Sequence, residues 1–270
     1  IYENESKSDE VDAEQLARVA RLDPKLLHPI QHRERRTRVD LAKLRSRDAL
    51  VSMRTGLINH VRGTMKSFGD RLGSRSAPYF HRWVREQIPG DLLLALEPVI
   101  DSLESIEVQI DRLDKEIERM AREDYPETNA LRQVDRVGLH SSLRFVLTVE
   151  DPWRIKRSRD VGAYFGLRPK RRQSGLRDPE MRITKAGDEG MRRLLVQCAQ
   201  QMLGPFGKDS DLRRWGLELA ARGGKATKKK AVIAVARKLA VLLHVLWKTG
   251  QVYEPLRNSA SAAPPMEATA

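Results

Sequence analysis

From Leu96 onward, apolar residues recur at spacings of three and four without a fault: Leu96, Val99, Leu103, Ile106, Ile110, Leu113, Ile117 and Met120. A 3.5-residue period of this kind keeps one apolar seam on one side of a helix, facing a partner along a supercoil. A weaker version precedes it. Leu44, Val51, Ile58, Met65 and Leu72 repeat every seven residues, with Val61 and Phe68 at the interleaved positions. Arg47 and Arg54 occupy that second set earlier on, so this seam is weak at its start. A break rich in Gly, Ser and Pro, residues 69–90, separates the two. Residues 32–125 are thus predicted as the two long helices of a coiled-coil hairpin. The seam of the second helix can be covered inside its own chain, as in an ordinary bundle. Pairing between chains is the favoured reading, because little else in the sequence could cover so long a stripe.

Composition agrees with a helical protein. Charged residues make up 32% and aromatics 5%, and the mean hydropathy is -0.54. This suits helices with long solvated faces better than an aromatic-rich sandwich. A chain of 270 residues has room for two modest domains, or for one domain and an elongated element. The single cysteine, Cys198, excludes a disulfide within the chain and fits a reducing compartment. No apolar run approaches the roughly 18 residues of a membrane span, and no signal peptide opens the sequence. A cytoplasmic, nucleoid-associated protein is expected, with no membrane partner. The first residue is Ile1, and Ile1-Tyr2-Glu3-Asn4 reads like sequence from the middle of a domain, so an amino-terminal truncation is expected.

Charge is segregated. The net charge is +13 and the pI about 10.1. Residues 1–125 carry 22 Lys and Arg against 23 Asp and Glu, whereas residues 126–255 carry 27 against 13. An excess confined to the second half points to a polyanionic partner there; a solvated basic surface with no special partner is the plainer alternative. Residues 126–255 should form a compact, mostly helical domain, with helices near Glu189–Met202 and Lys225–Lys248. Val232, Val235, Ala236, Leu239, Leu242, Leu243 and Leu246 form the apolar stripe of the latter. Residues 256–270 are expected to be a disordered tail.

Four places could carry chemistry. Val134-Asp135-Arg136-Val137-Gly138, before an apolar helix, resembles a helix-hairpin-helix turn, whose backbone N–H groups can hold a phosphate near Gly138. A plain helix connector fits it equally well. In the block from Asp160 to Gly175, an apolar helix ends at glycine and runs into Arg168, Lys170, Arg171 and Arg172, then Ser174 beside Gly175. Cations there can bind a phosphodiester and stabilise a pentavalent transition state. Ser174 could attack phosphorus, although a serine there is by itself more often a turn residue. Lys225, Lys228, Lys229 and Lys230 form a second basic cluster. At the other end of the chain, Ser8 is a plausible N-cap of a short acidic helix. Asp9 and Asp12 are spaced to lie on one face of it. Two hard oxygen donors so placed can help to hold Mg²⁺, or can simply be a solvated helix start.

Taken together, the ordered motifs resemble the DEDD transposases of the insertion-sequence one-ten family, relatives of the Piv-type DNA invertases. Lys7-Ser8-Asp9-Glu10-Val11-Asp12-Ala13 is similar to the motif supplying the last two of that family's four acidic residues. Tyr164-Phe165-Gly166-Leu167-Arg168-Pro169, Gln173-Ser174-Gly175, Ile183-Thr184-Lys185-Ala186-Gly187-Asp188 and Ala234-Val235-Ala236-Arg237-Lys238-Leu239 are similar to its carboxyl-terminal domain. Two positions differ: Asp135-Arg136-Val137-Gly138 replaces the family's Pro-Gly-x-Gly turn, and Leu176 its second glycine after the serine.

The resemblance implies a mainly α chain in three parts. Residues 1–31 would be the end of a truncated RuvC-like (RNase H-like) α/β domain, and residues 32–125 the coiled-coil hairpin. Residues 126–255 would be the transposase domain. It further implies Mg²⁺ at the acidic set, with Asp9 and Asp12 present and the first two acids upstream. Ser174 would be the DNA nucleophile, with phosphates bound by Arg168, Lys170, Arg171, Arg172 and Lys185. Partners would be element ends and target DNA, an element-encoded guide RNA, and further copies of the chain joined through the coiled coil. The rival expectation is a non-catalytic nucleic-acid-binding dimer, the product of a decayed element.

Overall fold

The structure, a computed structural model, describes residues 8–27, 32–173 and 181–260. The chain divides into two compact units, residues 1–35 and 36–270. In the first, helix α1 (Asp9–Leu22) begins where expected: the Ser8 hydroxyl accepts the Val11 N–H at 3.3 Å, and Asp9, Glu10 and Asp12 lie in the first turn. A 3-10 turn, Pro24–Leu27, follows. Among the described residues there are helices and turns but no β-strand; one isolated antiparallel bridge joins Pro169 to Ile183.

The second unit opens with the two long helices, α2 (Arg35–Ser67) and α4 (Gly90–Glu123). They run antiparallel. Leu41 and Leu44 pack with Ile117 and Met120 at one end, and Ile58, Val61 and Met65 with Leu96, Ile100 and Leu103 at the other. The α4 seam is therefore covered by α2 of the same chain, so its burial needs no second chain. The break between them is not empty: it holds a short helix, α3 (Phe80–Arg85), whose Phe80 and Val84 join Ile88 in closing the far end. Phe68 lies beyond the end of α2 and is 68% exposed instead of filling the seam. The two arginines that weakened the pattern are matched across the interface. Arg47 meets Asp114 at 2.5 Å, and Arg54 donates to both oxygens of Glu107 at 2.9 Å with both side chains largely buried. Charge pairs thus occupy the places where the apolar repeat fails.

Among the described residues seven further helices follow in this unit: α5 (Thr128–Leu131), α6 (Leu139–Val149), α7 (Val161–Tyr164), α8 (Glu189–Leu203), α9 (Asp211–Ala221), α10 (Lys225–Thr249) and α11 (Arg257–Ala260). The expected bounds of α8 and α10 are met to within a residue. Asp188 starts α8 by accepting the Met191 N–H at 2.7 Å, and Ser210 starts α9 by accepting that of Arg213 at 3.2 Å. Val235, Ala236, Leu239, Ala240 and Leu243 bury one stripe of α10 in a core shared with α7, α8 and α9. Within the expected tail, Arg257–Ala260 form the α11 turn, with the Asn258 N–H on Asp211 at 2.8 Å, and residues 261–270 lie outside the described residues.

Helix α6 joins the two halves of this unit. Every residue from Ser141 to Val149 is buried. Leu143 and Leu147 face the α2–α4 hairpin, while Phe145, Val146 and Val149 face the α10 core. Arg144, 5% exposed, bonds Asp48 of α2 at 2.5 Å and Asp188 at 3.0 Å; Arg193 adds a bond to Asp48 and Arg45 one to Asp188. Gly190 stands against the Arg144 guanidinium so closely that a Cβ would overlap it. No helix among the described residues is long and apolar enough to cross a membrane.

Candidate nucleic-acid interface

The basic block after α7 is built on a two-armed stem. Phe165 and Leu167 are fully buried in the α10 core and anchor its root. From there residues 168–170 pair with 182–184: the Lys170 N–H donates to the Arg182 carbonyl at 2.9 Å, and the Thr184 N–H to that of Arg168 at 2.8 Å. The root is tight because two glycines interlock. Gly166 and Gly187 both have left-handed φ angles, 69° and 72°. A Cβ on Gly166 would overlap the Ala186 backbone, and one on Gly187 the Tyr164 carbonyl. Arg192 closes the joint by donating to the Ala186 carbonyl at 2.8 Å.

Arg168, Lys170, Arg171 and Arg172 are exposed along the outgoing arm, and Lys185 is exposed on the returning one. Ser174 lies outside the described residues, which resume at Met181. The stem thus holds the two ends of the segment that contains it.

A groove of about 830 Å³ lies between this stem and α10. Its floor is apolar: Leu167, Pro169 and Ile183 from the stem, Ile233 and Val241 from α10, and Trp215 from α9. Its rim is cationic. Arg159 precedes α7, Arg182 and Lys185 come from the stem, and Lys229, Lys230, Arg237 and Lys238 from α10. Among the described residues that line it, none is acidic. Two basic clusters far apart in sequence, one holding Lys185 and the other Lys229 and Lys230, are therefore brought to one concavity. Lys225 and Lys228 are exposed on the same end of α10, outside the groove lining.

The first turn of α10 contains no acid, and lysines fill the amino-terminal part of the helix. Cations there oppose the helix dipole, which favours negative charge at that end. A bound phosphate would relieve this conflict, since the dipole and the lysines both attract it. The ammonium of Lys238 sits 3.6 Å from the centroid of the Trp215 ring, within cation–π range. Sequence reasoning overlooked Trp215, Arg159 and Arg182 as members of this site. Trp215 in particular carries no motif, and only the packing of α9 on α10 brings it here.

The other candidates stand apart. Gly138 is the N-cap of α6, with φ −85°, which does not require glycine. It lines a separate cavity of about 620 Å³ with Arg132, Lys208 and Tyr253 but also Asp135 and Asp209, and shares no lining residue with the groove. The preceding α5 has only four residues, so the turn connects a single helical turn to α6 and not two full helices. Asp9 and Asp12 are both exposed on α1. Their carboxylates suit a hard cation, yet no cluster of three or more potential ligands occurs among the described residues. These two acids alone do not make a metal site.

Comparison with known proteins gives the family. Residues 128–210, which include the stem and α8, match the family described as Transposase IS116/IS110/IS902. Residues 1–69 match the DEDD transposase family of the IS110 type. Among curated relatives, the "Probable family 20 transposase" of Pseudomonas aeruginosa is 28% identical over 265 residues, 94% of this chain and 76% of that protein. The transposase for insertion sequence element IS1111A of Coxiella burnetii is 26% identical, over 93% of this chain and 70% of the relative. That for IS1328 of Yersinia enterocolitica is 26% identical, over 92% and 74%. With two family models matched in order along the chain and relatives aligned over nearly all of it, this chain belongs to the IS110 family of DEDD transposases.

Proposed function

We propose that the chain binds DNA at the cation-rimmed groove and cleaves and rejoins strands there, with Ser174 as nucleophile. The observation that carries this reading is the convergence of the stem arms, which flank in sequence the segment holding Ser174, with the lysines of α10 around a concavity lined by no acid among the described residues. The Ser174 Oγ would attack the scissile phosphorus. One O–P bond forms to the protein as one to a deoxyribose oxygen breaks, and the departing oxygen takes up a proton. Attack by a sugar hydroxyl on the phosphoserine would reverse the exchange and join the new strand. Arg168, Lys170, Arg171, Arg172 and Lys185 would hold phosphates and offset the charge that accumulates on the phosphorane oxygens. Gly138 would contribute a phosphate contact at the start of α6, and Lys225, Lys228, Lys229 and Lys230 an additional nucleic-acid surface.

Residues 1–31 would be the end of a RuvC-like domain. Asp9 and Asp12 would hold part of a Mg²⁺ ion, other acids completing the set. When bound, the metal supplies charge neutralisation at phosphate oxygens. Assembly into a homo-oligomer and use of a guide RNA belong to the same reading and follow from the family resemblance alone. Leu94 and Val108 are exposed apolar residues of α4 that a second chain would cover. A second reading, a DNA-binding protein without strand chemistry, rests on the same basic groove, which accounts for binding without any nucleophile.

The test is a strand-transfer assay with labelled element-end DNA and divalent metal, comparing the full-length protein with its Ser174→Ala variant. A covalent protein–DNA adduct that disappears in the variant is the expected result. An undiminished adduct rejects the serine assignment. Salt-sensitive binding with no metal-dependent cleavage by either protein supports the second reading.

A further inference from the structure

We infer that the groove between the stem and α10 takes an unpaired DNA strand, with bases on the apolar floor and phosphates on the cationic rim. The inference rests on the reading of this surface as a DNA interface and goes on to name the form of DNA it accepts. A duplex presents phosphates and sugars outward and keeps its base faces stacked inside. A partner of that shape rewards an exposed basic surface and gains nothing from an oily concavity. Here the concavity is oily: Pro169, Ile183, Ile233 and Val241 face into it. An unpaired strand carries both features at once, flat apolar base faces and a regularly spaced anionic backbone. Proteins that hold single strands combine a positive groove with an aromatic platform for that reason. The volume of about 830 Å³ lies within the range of sites that hold small ligands, and so fits individual nucleotides.

Trp215 supplies the platform. Its ring is half-buried, and the ammonium of Lys238 covers one face at 3.6 Å from the centroid. An arriving base competes with that ammonium for the ring, and a displaced Lys238 is left on the rim, where a phosphate can receive it. The exchange replaces one cation–π contact with a base stack and a charge pair. Pro169, Arg182 and Lys185 line the groove and are also part of the stem, so a strand lying here meets both stem arms.

The experiment uses the full 270-residue chain and fluorescence anisotropy with a labelled 20-nucleotide DNA strand, the same sequence as a duplex, and the same sequence as single-stranded RNA, all at one salt concentration. The single DNA strand should bind about tenfold more tightly than the duplex. Trp215→Ala should weaken single-strand binding about tenfold and duplex binding much less, with Trp215→Phe restoring most of the loss. The phenylalanine variant and a thermal melt of each protein separate a lost stack from a lost fold. Equal binding of strand and duplex, or equal losses for both in Trp215→Ala, overturns the inference while leaving the DNA interface standing. A tenfold preference for RNA overturns the choice of DNA. Absence of salt-dependent binding to any of the three overturns the interface reading as well.

Discussion

Replacing Arg144 with alanine tests the joint between the helical hairpin and the basic domain. The Arg144 side chain is 5% exposed and that of Asp188 10%, so their 3.0 Å pair is nearly dry; Asp48, at 30%, is better solvated. Removing one member of a buried pair costs about 3–5 kcal/mol, because the other charge is left without compensation. Asp188 would keep the Met191 N–H and an exposed Arg45, and Asp48 would keep Arg193. Those remaining partners place the expected loss at the lower end, about 3 kcal/mol. At roughly 2–4 °C per kcal/mol for a unit of this size, the melting temperature should fall by about 6–12 °C.

Acid adds a second signature. Burial raises the Asp188 pKa, but the Met191 N–H, Arg144 and Arg45 together outweigh it and leave the carboxyl below its ordinary value of 3.8. A group whose pKa is lowered by folding stabilises the native state above 3.8, and that contribution is lost as pH falls through the lowered native value. The gap between wild type and Arg144→Ala, measured by urea denaturation, should therefore be widest near neutrality and close as pH falls below 3.8. A variant within 1 kcal/mol of wild type at pH 7, or a gap that does not narrow in acid, would refute the argument.

The remaining predictions concern the stem, the groove and a buried histidine. Gly166→Ala meets both a left-handed φ and the Ala186 backbone; it should destabilise by about 2–3 kcal/mol, read by thermal melting, and loosen DNA binding in parallel. Lys185→Ala and Lys229→Ala should each flatten the plot of log binding constant against log salt by about 0.7 for a single strand; an unchanged slope in both removes them from the phosphate contacts. His244 is fully buried, bonded to the Ser158 hydroxyl at 2.9 Å and the Pro152 carbonyl at 2.8 Å. Burial and then Lys248 push its pKa below 6.5, against the pull of the Pro152 carbonyl. Its share of stability is complete above pH 6.5 and is lost as pH falls through the lowered value, so His244→Gln should show a shallower decline between pH 7 and 5. His140, lowered by burial and then by Arg47, adds to the same slope.

The helices of this protein were legible because their signals are local. The seam from Leu96 to Met120, the acids after Ser8 and the stripe from Val232 to Leu246 each follow from a period or a cap, and each became the helix expected. What covers a seam is a long-range fact. Arg47 and Arg54 read as defects in a repeat until Asp114 and Glu107 of the facing helix are known. Phe68 kept the heptad spacing after the helix had ended, and so pointed nowhere. For the candidate site, charge alone marked Lys185, Lys229 and Lys230, but their meeting in one groove depends on how α10 packs beside the stem. Trp215 and Arg159 were invisible for the same reason. Arg144 shows the converse: a cation in a basic domain that is spent inside, on Asp48 and Asp188, and is lost to any outside partner.

Helix α6, having no face left for water, also fixes how the long hairpin leaves the basic domain. A helix of 34 residues, as α4 is, reaches about 51 Å, so tilting it by 5° at the α6 end swings its far tip by about 4 Å. The packing of Leu143 and Leu147 against Leu41, Leu44, Ile117 and Met120 therefore acts as the bearing of a lever. One methylene gained or lost in that bearing would be felt most at Phe80, at the opposite end of the α2–α4 hairpin.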